Sequence, residues 1–283
     1  MKMAMEIENV KFISGKNNGF ITETIKLKQK KYRNEKNLFY IEGVKLLQEV
    51  LRSDYREKIK NIIIDENIFH DVINIINTEY IEYTKDIIKK FEVVAVTREI
   101  YKKITDEEAF QGVMCVIEKR SGDIDFSYDK PVIILNSVRD PGNIGTIIRT
   151  AEAIYDFDII LSDDCADIYN SKTQRAAMGA IFRQNIKICK NIVSEIEILK
   201  KNGYNIFATC LEKNPKSIDE VIFNKKSAVI FGNEGNGLDD ILVGLCDEKI
   251  IIPVNQNSES LNVSVAAGII IWKIKKNIKI NEN

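Results

Sequence analysis

The chain has 283 residues, with 41 Lys and Arg against 42 Asp and Glu and a formal net charge of −1 at pH 7. That length admits two ordinary domains, and the charge balance excludes a protein that holds nucleic acid by bulk charge alone. Apolar residues make up 45%, normal for a globular protein, and no run approaches the ~18 apolar residues of a membrane span, so no membrane partner is expected. His70 is the single histidine, and Cys115, Cys165, Cys189, Cys210 and Cys246 form no C-x-x-C pair. A His-based metal site, a Ser-His-Asp triad and a disulfide framework are therefore disfavoured. Met1 to Phe12 lacks the apolar core of a signal peptide, which points to a cytoplasmic protein.

In chain order, residues 13–36 are polar and helical in tendency, with a turn at Asn17-Asn18-Gly19. Lys26, Lys28, Lys30, Lys31 and Arg33 form a basic run there, and Lys273, Lys275, Lys276 and Lys279 form another near the C-terminus. Each alone reads as a solvated helix face, although a basic face on a near-neutral protein would suit RNA. Strand, helix and strand follow at Ile41–Gly43, Val44–Leu51 and Ile59–Ile64; Val44, Leu47, Val50 and Leu51 share one helical face. His70, between apolar neighbours, reads as an ordinary helix or turn residue. Further strands are expected at Phe91–Val96 and Gly112–Ile117. The expected organisation is a small α/β domain over residues 1–120, a polar linker over 121–130 and a second α/β domain over 131–283.

The second half alternates strands and helices strictly. Strands are expected at Val132–Leu135, Asp158–Leu161, Ile186–Cys189, Ile206–Thr209, Ala228–Phe231 and Lys249–Ile252. This spacing implies a mainly parallel sheet covered on both faces, with ligands at the carboxyl ends of its strands. Three distinctive segments fall at such ends. Asp140-Pro141-Gly142-Asn143 is a turn signal that opens a helix with Ile144, Ile147, Ile148 and Ala151 on one stripe and Arg149 off it. Gly232-Asn233-Glu234-Gly235-Asn236-Gly237 offers positive φ and close backbone approach to a ligand. Its G-x-x-G-x-G spacing matches neither the dinucleotide fingerprint nor a P-loop, which weighs against a nicotinamide dehydrogenase. Pro253 should end a strand, and a polar loop leads to a helix for which Ser258 and Ser260 are candidate N-caps. That helix, through Val263, Val265, Ala266, Ala267, Ile269, Ile270, Ile271 and Trp272, is apolar nearly all round and should be buried on several sides.

Taken together, Asn143 through Arg149-Thr150-Ala151, Gly232-Asn233-Glu234-Gly235 with Gly237, and Pro253 with Ser260-Leu261-Asn262-Val263-Ser264 resemble the motifs of the SpoU family of RNA ribose methyltransferases, within the SPOUT superfamily. The resemblance covers roughly residues 131–276; Tyr40-Ile41-Glu42-Gly43 and Gln111-Gly112-Val113 resemble that family's N-terminal substrate-binding domain more loosely. Gln256 stands where the family commonly has glycine. The resemblance implies S-adenosylmethionine as methyl donor, a deep trefoil knot in the C-terminal domain and a homodimer that buries the last helix. It implies donor contacts at Thr209, Cys210, Leu211, Gly232, Asn233, Gly237, Ile252, Ser260 and Leu261. The reaction it implies is methyl transfer to a ribose 2′-hydroxyl, with 23S ribosomal RNA favoured. The implied catalytic set is Asn143, Arg149, Glu234, Ser260 and Asn262. Arg149 would grip the adjacent phosphate, Asn143, Ser260 and Asn262 would position the ribose, and Glu234 would anchor Asn143 or Arg149 or act directly, anchoring being favoured. A transfer-RNA methyltransferase and a non-catalytic RNA-binding protein of the same fold are the alternatives.

Overall fold

The computed structural model describes residues 10–15, 18–79, 92–120, 122–210, 214–255 and 260–281. Contacts divide the chain into two units, Met1–Arg120 with Tyr169–Ser171, and Ser121–Ile168 with Lys172–Asn283.

The first unit contains β1 (Val10–Ile13), α1 (Gly19–Lys26), α2 (Lys30–Lys36), β2 (Leu38–Glu42), α3 (Val44–Leu51), β3 (Ile59–Asp65), α4 (Phe69–Glu79), β4 (Glu92–Val96), α5 (Arg98–Ile104) and β5 (Val113–Glu118). Its sheet runs β1-β4-β3-β5-β2, with β5 antiparallel to both neighbours. Ile63, Val94, Val96, Met114 and Val116 form one buried face with Ile21, Ile100, Tyr101 and Ile104 from the helices. Strand β1 was not foreseen, because V-K-F-I is too short and too exposed to show a period. The basic run is partly architectural. Arg33 is buried and donates to the carbonyls of Leu27 and Lys28, while Lys28 pairs with Asp106 at 2.9 Å. These two cations stabilise carbonyls and a carboxylate of their own unit, which corrects the picture of one uniformly solvated face. His70 lies exposed on α4.

The second unit contains β6 (Val132–Leu135), α6 (Pro141–Ile154), β7 (Asp158–Ser162), α7 (Ser171–Ala177), β8 (Asn185–Cys189), α8 (Ile192–Lys201), β9 (Asn205–Thr209), β10 (Lys216–Ser217), β11 (Ser227–Phe231), α9 (Asp240–Leu245), β12 (Glu248–Ile251) and α10 (Val263–Asn281). Its sheet has the order β10-β12-β9-β11-β6-β7-β8 and every pairing is parallel. Val132, Ile134, Ala228, Ile230, Ile206 and Ala208 pack under α8 and α9. The alternate residues Ile133, Leu135, Val229 and Phe207 are equally buried, as they must be in a sheet covered on both faces. Segment 122–130 has no regular secondary structure beyond turns, yet Ile124 is buried in this core and Phe126 packs against it.

The order of the strands decides where a ligand can sit. The chain leaves β6 toward β7 and β8, then returns across the sheet to β9, and β11 is inserted between β9 and β6. Connections therefore diverge around β11, and a crevice opens at the carboxyl ends of β9, β11 and β12.

Candidate active site

Helix α6 begins with two cooperating signals. Asp140 is its N-cap and accepts the Asn143 backbone N–H at 2.8 Å, and Pro141 occupies the first turn, where its missing N–H costs nothing. The cap and Pro141 hold the Asn143 side chain in place at the end of β6, where it is buried.

The Asn143 amide is engaged at both ends. Its Nδ2 donates to Glu234 Oε1 at 3.0 Å, and its Oδ1 accepts from Asn262 Nδ2 at 3.0 Å. Glu234 also accepts the backbone N–H of Asp140 on Oε1 and that of Arg139 on Oε2, both at 3.2 Å. Partial burial works to raise the Glu234 carboxyl, but the hydrogen bonds from Asn143 and the backbone amides outweigh it and hold it below the usual carboxylate range. Asn262 in turn caps α10: its Oδ1 accepts the Ser264 backbone N–H at 2.9 Å and the Ser264 hydroxyl at 2.6 Å. The cap is thus Asn262, not Ser260, because the helix starts at Val263. Ser258 lies outside the described residues. Three segments far apart in sequence meet in this one chain of hydrogen bonds.

Beside it lies a cavity of 640 Å³ at the crevice, within the usual size of a small-molecule site. Thr209, Cys210, Gly232, Asn233, Gly237, Ile252, Ser260 and Leu261 line it, together with Glu234 and Asn262. Leu211 and Gln256 lie outside the described residues. Asn143 and Arg149 do not line the cavity. Arg149 is exposed on α6, without an ion pair or hydrogen bond among the described residues.

The glycine loop is folded back on itself. Asn233 and Gly237 exchange backbone hydrogen bonds of 3.0 and 2.9 Å, and Gly237 has φ +67°. A Cβ on Gly232 would sit 2.2 Å from the Gly237 carbonyl carbon, so only glycine fits. Asn233 Oδ1 accepts from the amides of Gly235 and Asn236, and its Nδ2 donates to the Ser137 carbonyl. The loop is thereby shaped by its own side chain, which explains an asparagine at that position.

These residues fit S-adenosylmethionine. The lining combines apolar side chains such as Phe231, Leu238, Ile252 and Leu261, which suit an adenine ring, with the small polar residues Thr209, Asn233, Ser260 and Asn262, and Glu234 is the only charged residue among the described lining. A carboxylate with no lysine or arginine beside it in the described lining suits a positively charged sulfonium ligand.

Sequence reasoning took Asp140 as a turn residue and passed over Arg139, Ser162 and Asp164. Asp-Pro before an apolar stripe was a legible capping signal. The hydrogen bond of Asp164 to Ser137 and its ion pair with Arg139 had no sequence signal, since those partners sit 25 or more positions away; the bond to Ser162, two residues before it, is local.

A family model described as the SpoU rRNA methylase family matches residues 130–272, and one described as an MRM3-like substrate-binding domain matches residues 18–115. The chain belongs to the SpoU rRNA methylase family. A 23S rRNA (guanosine(2553)-2′-O)-methyltransferase of Bacillus subtilis is 30% identical over 94% of this chain and 100% of its own length. A tRNA (guanosine(18)-2′-O)-methyltransferase of Aquifex aeolicus is 30% identical over 57% of this chain and 72% of its own. The crystal structure of an AdoMet-bound rRNA methyltransferase from Sinorhizobium meliloti covers 94% of this chain and 98% of that one, with 28% identity and a TM-score of 0.80. The expected family, its α/β fold with an N-terminal substrate-binding domain, the methyltransferase class and the S-adenosylmethionine donor are borne out. Among the described residues no helix is long and apolar enough to cross a membrane.

Proposed function

We propose that this SpoU family member transfers a methyl group from S-adenosylmethionine to a ribose 2′-hydroxyl of 23S ribosomal RNA. The observation that carries this reading is full-length similarity, through both units, to a 2′-O-methyltransferase of that RNA, whereas the transfer-RNA relative is matched over little more than half the chain. In this reading residues 131–283 are the methyltransferase domain, residues 1–120 the RNA-binding domain and 121–130 their connection.

When bound, the donor supplies an electrophilic sulfonium methyl, so the protein needs to place the hydroxyl in line and help its proton leave. The Glu234–Asn143–Asn262 chain provides fixed amides for the ribose. Both Glu234 oxygens are occupied by donors and its proton affinity is lowered, which supports anchoring of Asn143 rather than a role as base. Arg149, exposed and without a partner among the described residues, is placed to fork onto a phosphate. Ser260, exposed beside the cavity, is placed to touch donor or ribose.

The same reading includes a trefoil knot formed by the segment after β12, a cytoplasmic location and a homodimer through α10. Support for the dimer is a stripe of Val265, Ile269 and Trp272, exposed by 50%, 38% and 55% on the single chain. Those positions recur on one helical face, the pattern of a surface made to be covered.

The test is methyl transfer from labelled S-adenosylmethionine to an unmodified 23S rRNA transcript, followed by alkaline hydrolysis, which a 2′-O-methyl group blocks. One protected linkage is expected. Label on a base, or transfer to transfer RNA alone, would overturn the reading.

A further inference from the structure

Arg139 sits between the end of β6 and the start of α6, and its side chain is 62% exposed. An exposed arginine normally samples many rotamers, but this one is held: its Nη2 donates to Asp164 Oδ2 at 2.8 Å. Asp164 is itself fixed from two strand ends. Its Oδ2 accepts the Ser137 hydroxyl at 2.7 Å and its Oδ1 accepts the Ser162 hydroxyl. Ser162 Oγ accepts the Ser137 backbone N–H at 2.9 Å, and Ser137 is one of few non-glycine residues with positive φ, at 57°. The Ala166 N–H donates to the Val138 carbonyl, tying the Asp164 loop to the Arg139 segment by the backbone as well.

So much local order for one exposed ion pair calls for a reason other than stability, since such pairs contribute little to it. The remaining guanidinium donors of Arg139 have no partner among the described residues. A planar guanidinium anchored through one nitrogen, with its other donors open, is pre-organised to grip two oxygens of an oxyanion such as a phosphate. Its location ties it to the reaction. The Arg139 backbone N–H donates to Glu234, on the wall of the donor cavity, and Ser137 O accepts from Asn233 of the glycine loop.

We propose that Arg139 binds an RNA backbone phosphate beside the Glu234 wall of the donor cavity, and that Asp164 is the positioning residue that aims it. The inference rests on the RNA-methylating reading above. It adds a phosphate contact distinct from that assigned to Arg149 and links it, through Ser137, to the loop that shapes the donor cavity.

The test uses the full chain and a fluorescently labelled 23S rRNA transcript, read by anisotropy over a salt series, with methyl transfer and donor binding measured on the same preparations. Arg139→Ala should weaken RNA binding about tenfold and lower the salt slope by roughly one phosphate contact. The loss should appear mainly in the KM for RNA, with donor affinity unchanged. Arg139→Lys should keep the salt slope without recovering the affinity, because an ammonium lacks the fork. Asp164→Asn decides the positioning role by sign. Removing a negative charge should strengthen RNA binding if only bulk electrostatics mattered, and should weaken it if Asp164 aims Arg139. Arg139→Ala binding RNA like the unaltered chain, or Asp164→Asn binding it more tightly, would overturn the proposal. Should Asp164→Asn melt early, the two Arg139 variants decide, since an exposed arginine can be replaced without loss of the fold. An unaltered chain that binds the transcript but methylates no ribose would count against the functional reading, and the Arg139 comparison would still stand.

Discussion

Asn143 holds Glu234 with its amide nitrogen and Asn262 with its amide oxygen, so a single side chain fixes the relative position of the glycine loop and the start of α10. Glu234→Gln keeps the shape of its partner but leaves only one accepting oxygen for three donors. Hydrogen bonds to a charged group contribute about 1.5–3 kcal/mol each, so turnover should fall roughly tenfold to a hundredfold, as a methyl-transfer assay would read. The pH dependence has a definite sign. The Glu234 pKa is lowered in the folded chain, so its contribution to stability is complete above the ordinary glutamate value of about 4.3 and is lost as pH falls through the lowered value. Melting curves from pH 7 into the acid range should therefore show a shallower acid loss for Glu234→Gln than for the unaltered chain; parallel curves would remove the hydrogen-bonded carboxylate from the account. Arg149 has the opposite setting, exposed and without a partner among the described residues. Arg149→Lys should cut turnover by roughly a hundredfold if phosphate positioning is lost, while calorimetry with S-adenosylmethionine shows unchanged affinity, since Arg149 does not line the cavity. Near-normal turnover would leave Glu234 and Ser260 as candidates.

Among elements, the glycine loop after β11 has little freedom to vary. Gly232 passes so close to Gly237 that an added methyl would meet both atoms of its carbonyl at 2.2 Å and the Leu238 nitrogen at 2.6 Å. All of these are backbone atoms, so the loop itself has to move. Gly232→Ala should open the Asn233–Gly237 turn and weaken donor binding at least tenfold, while overpacking costs the fold only about 1–3 kcal/mol. Donor titration alongside a thermal melt separates the two effects; full donor affinity in the variant would show that the turn does not shape the site. Helix α10 illustrates a different constraint. Its Ile270, Ile271 and Ile274 are buried within the chain, and Gly268 lies over Thr150 of α6. Its other stripe is left open.

At the scale of the whole molecule, that open stripe carries the assembly prediction. Ile270 is 1% exposed within one chain, so a charge placed there would unfold the protein and say nothing of a dimer. Trp272 is 55% exposed, with the Lys275 ammonium 4.5 Å from its ring centre, and is the position that discriminates. Trp272→Glu should leave the melting of the single chain nearly unchanged and shift sedimentation from dimer to monomer. A dimer that survives the substitution would place the interface elsewhere.

Much of this molecule is decided by local pattern. Each strand of the second unit was legible to within a residue or so except the two-residue β10, because a parallel sheet covered on both faces demands continuous runs such as Val132–Leu135 and Ser227–Phe231. The site segments were legible for a related reason. Positive φ, close backbone approach and helix capping restrict residue choice at single positions, as at Gly237 and Asp140. Tertiary structure alone decided the order of the strands, and with it the crevice at β9, β11 and β12, since period and composition carry no information about which strands become neighbours. It also decided that Asn262 rather than Ser260 caps α10, that Arg33 is buried while Arg149 is open, and that Asp164 holds Arg139. In each case a polar side chain has several possible partners along the chain, and only folding brings one of them within hydrogen-bonding distance.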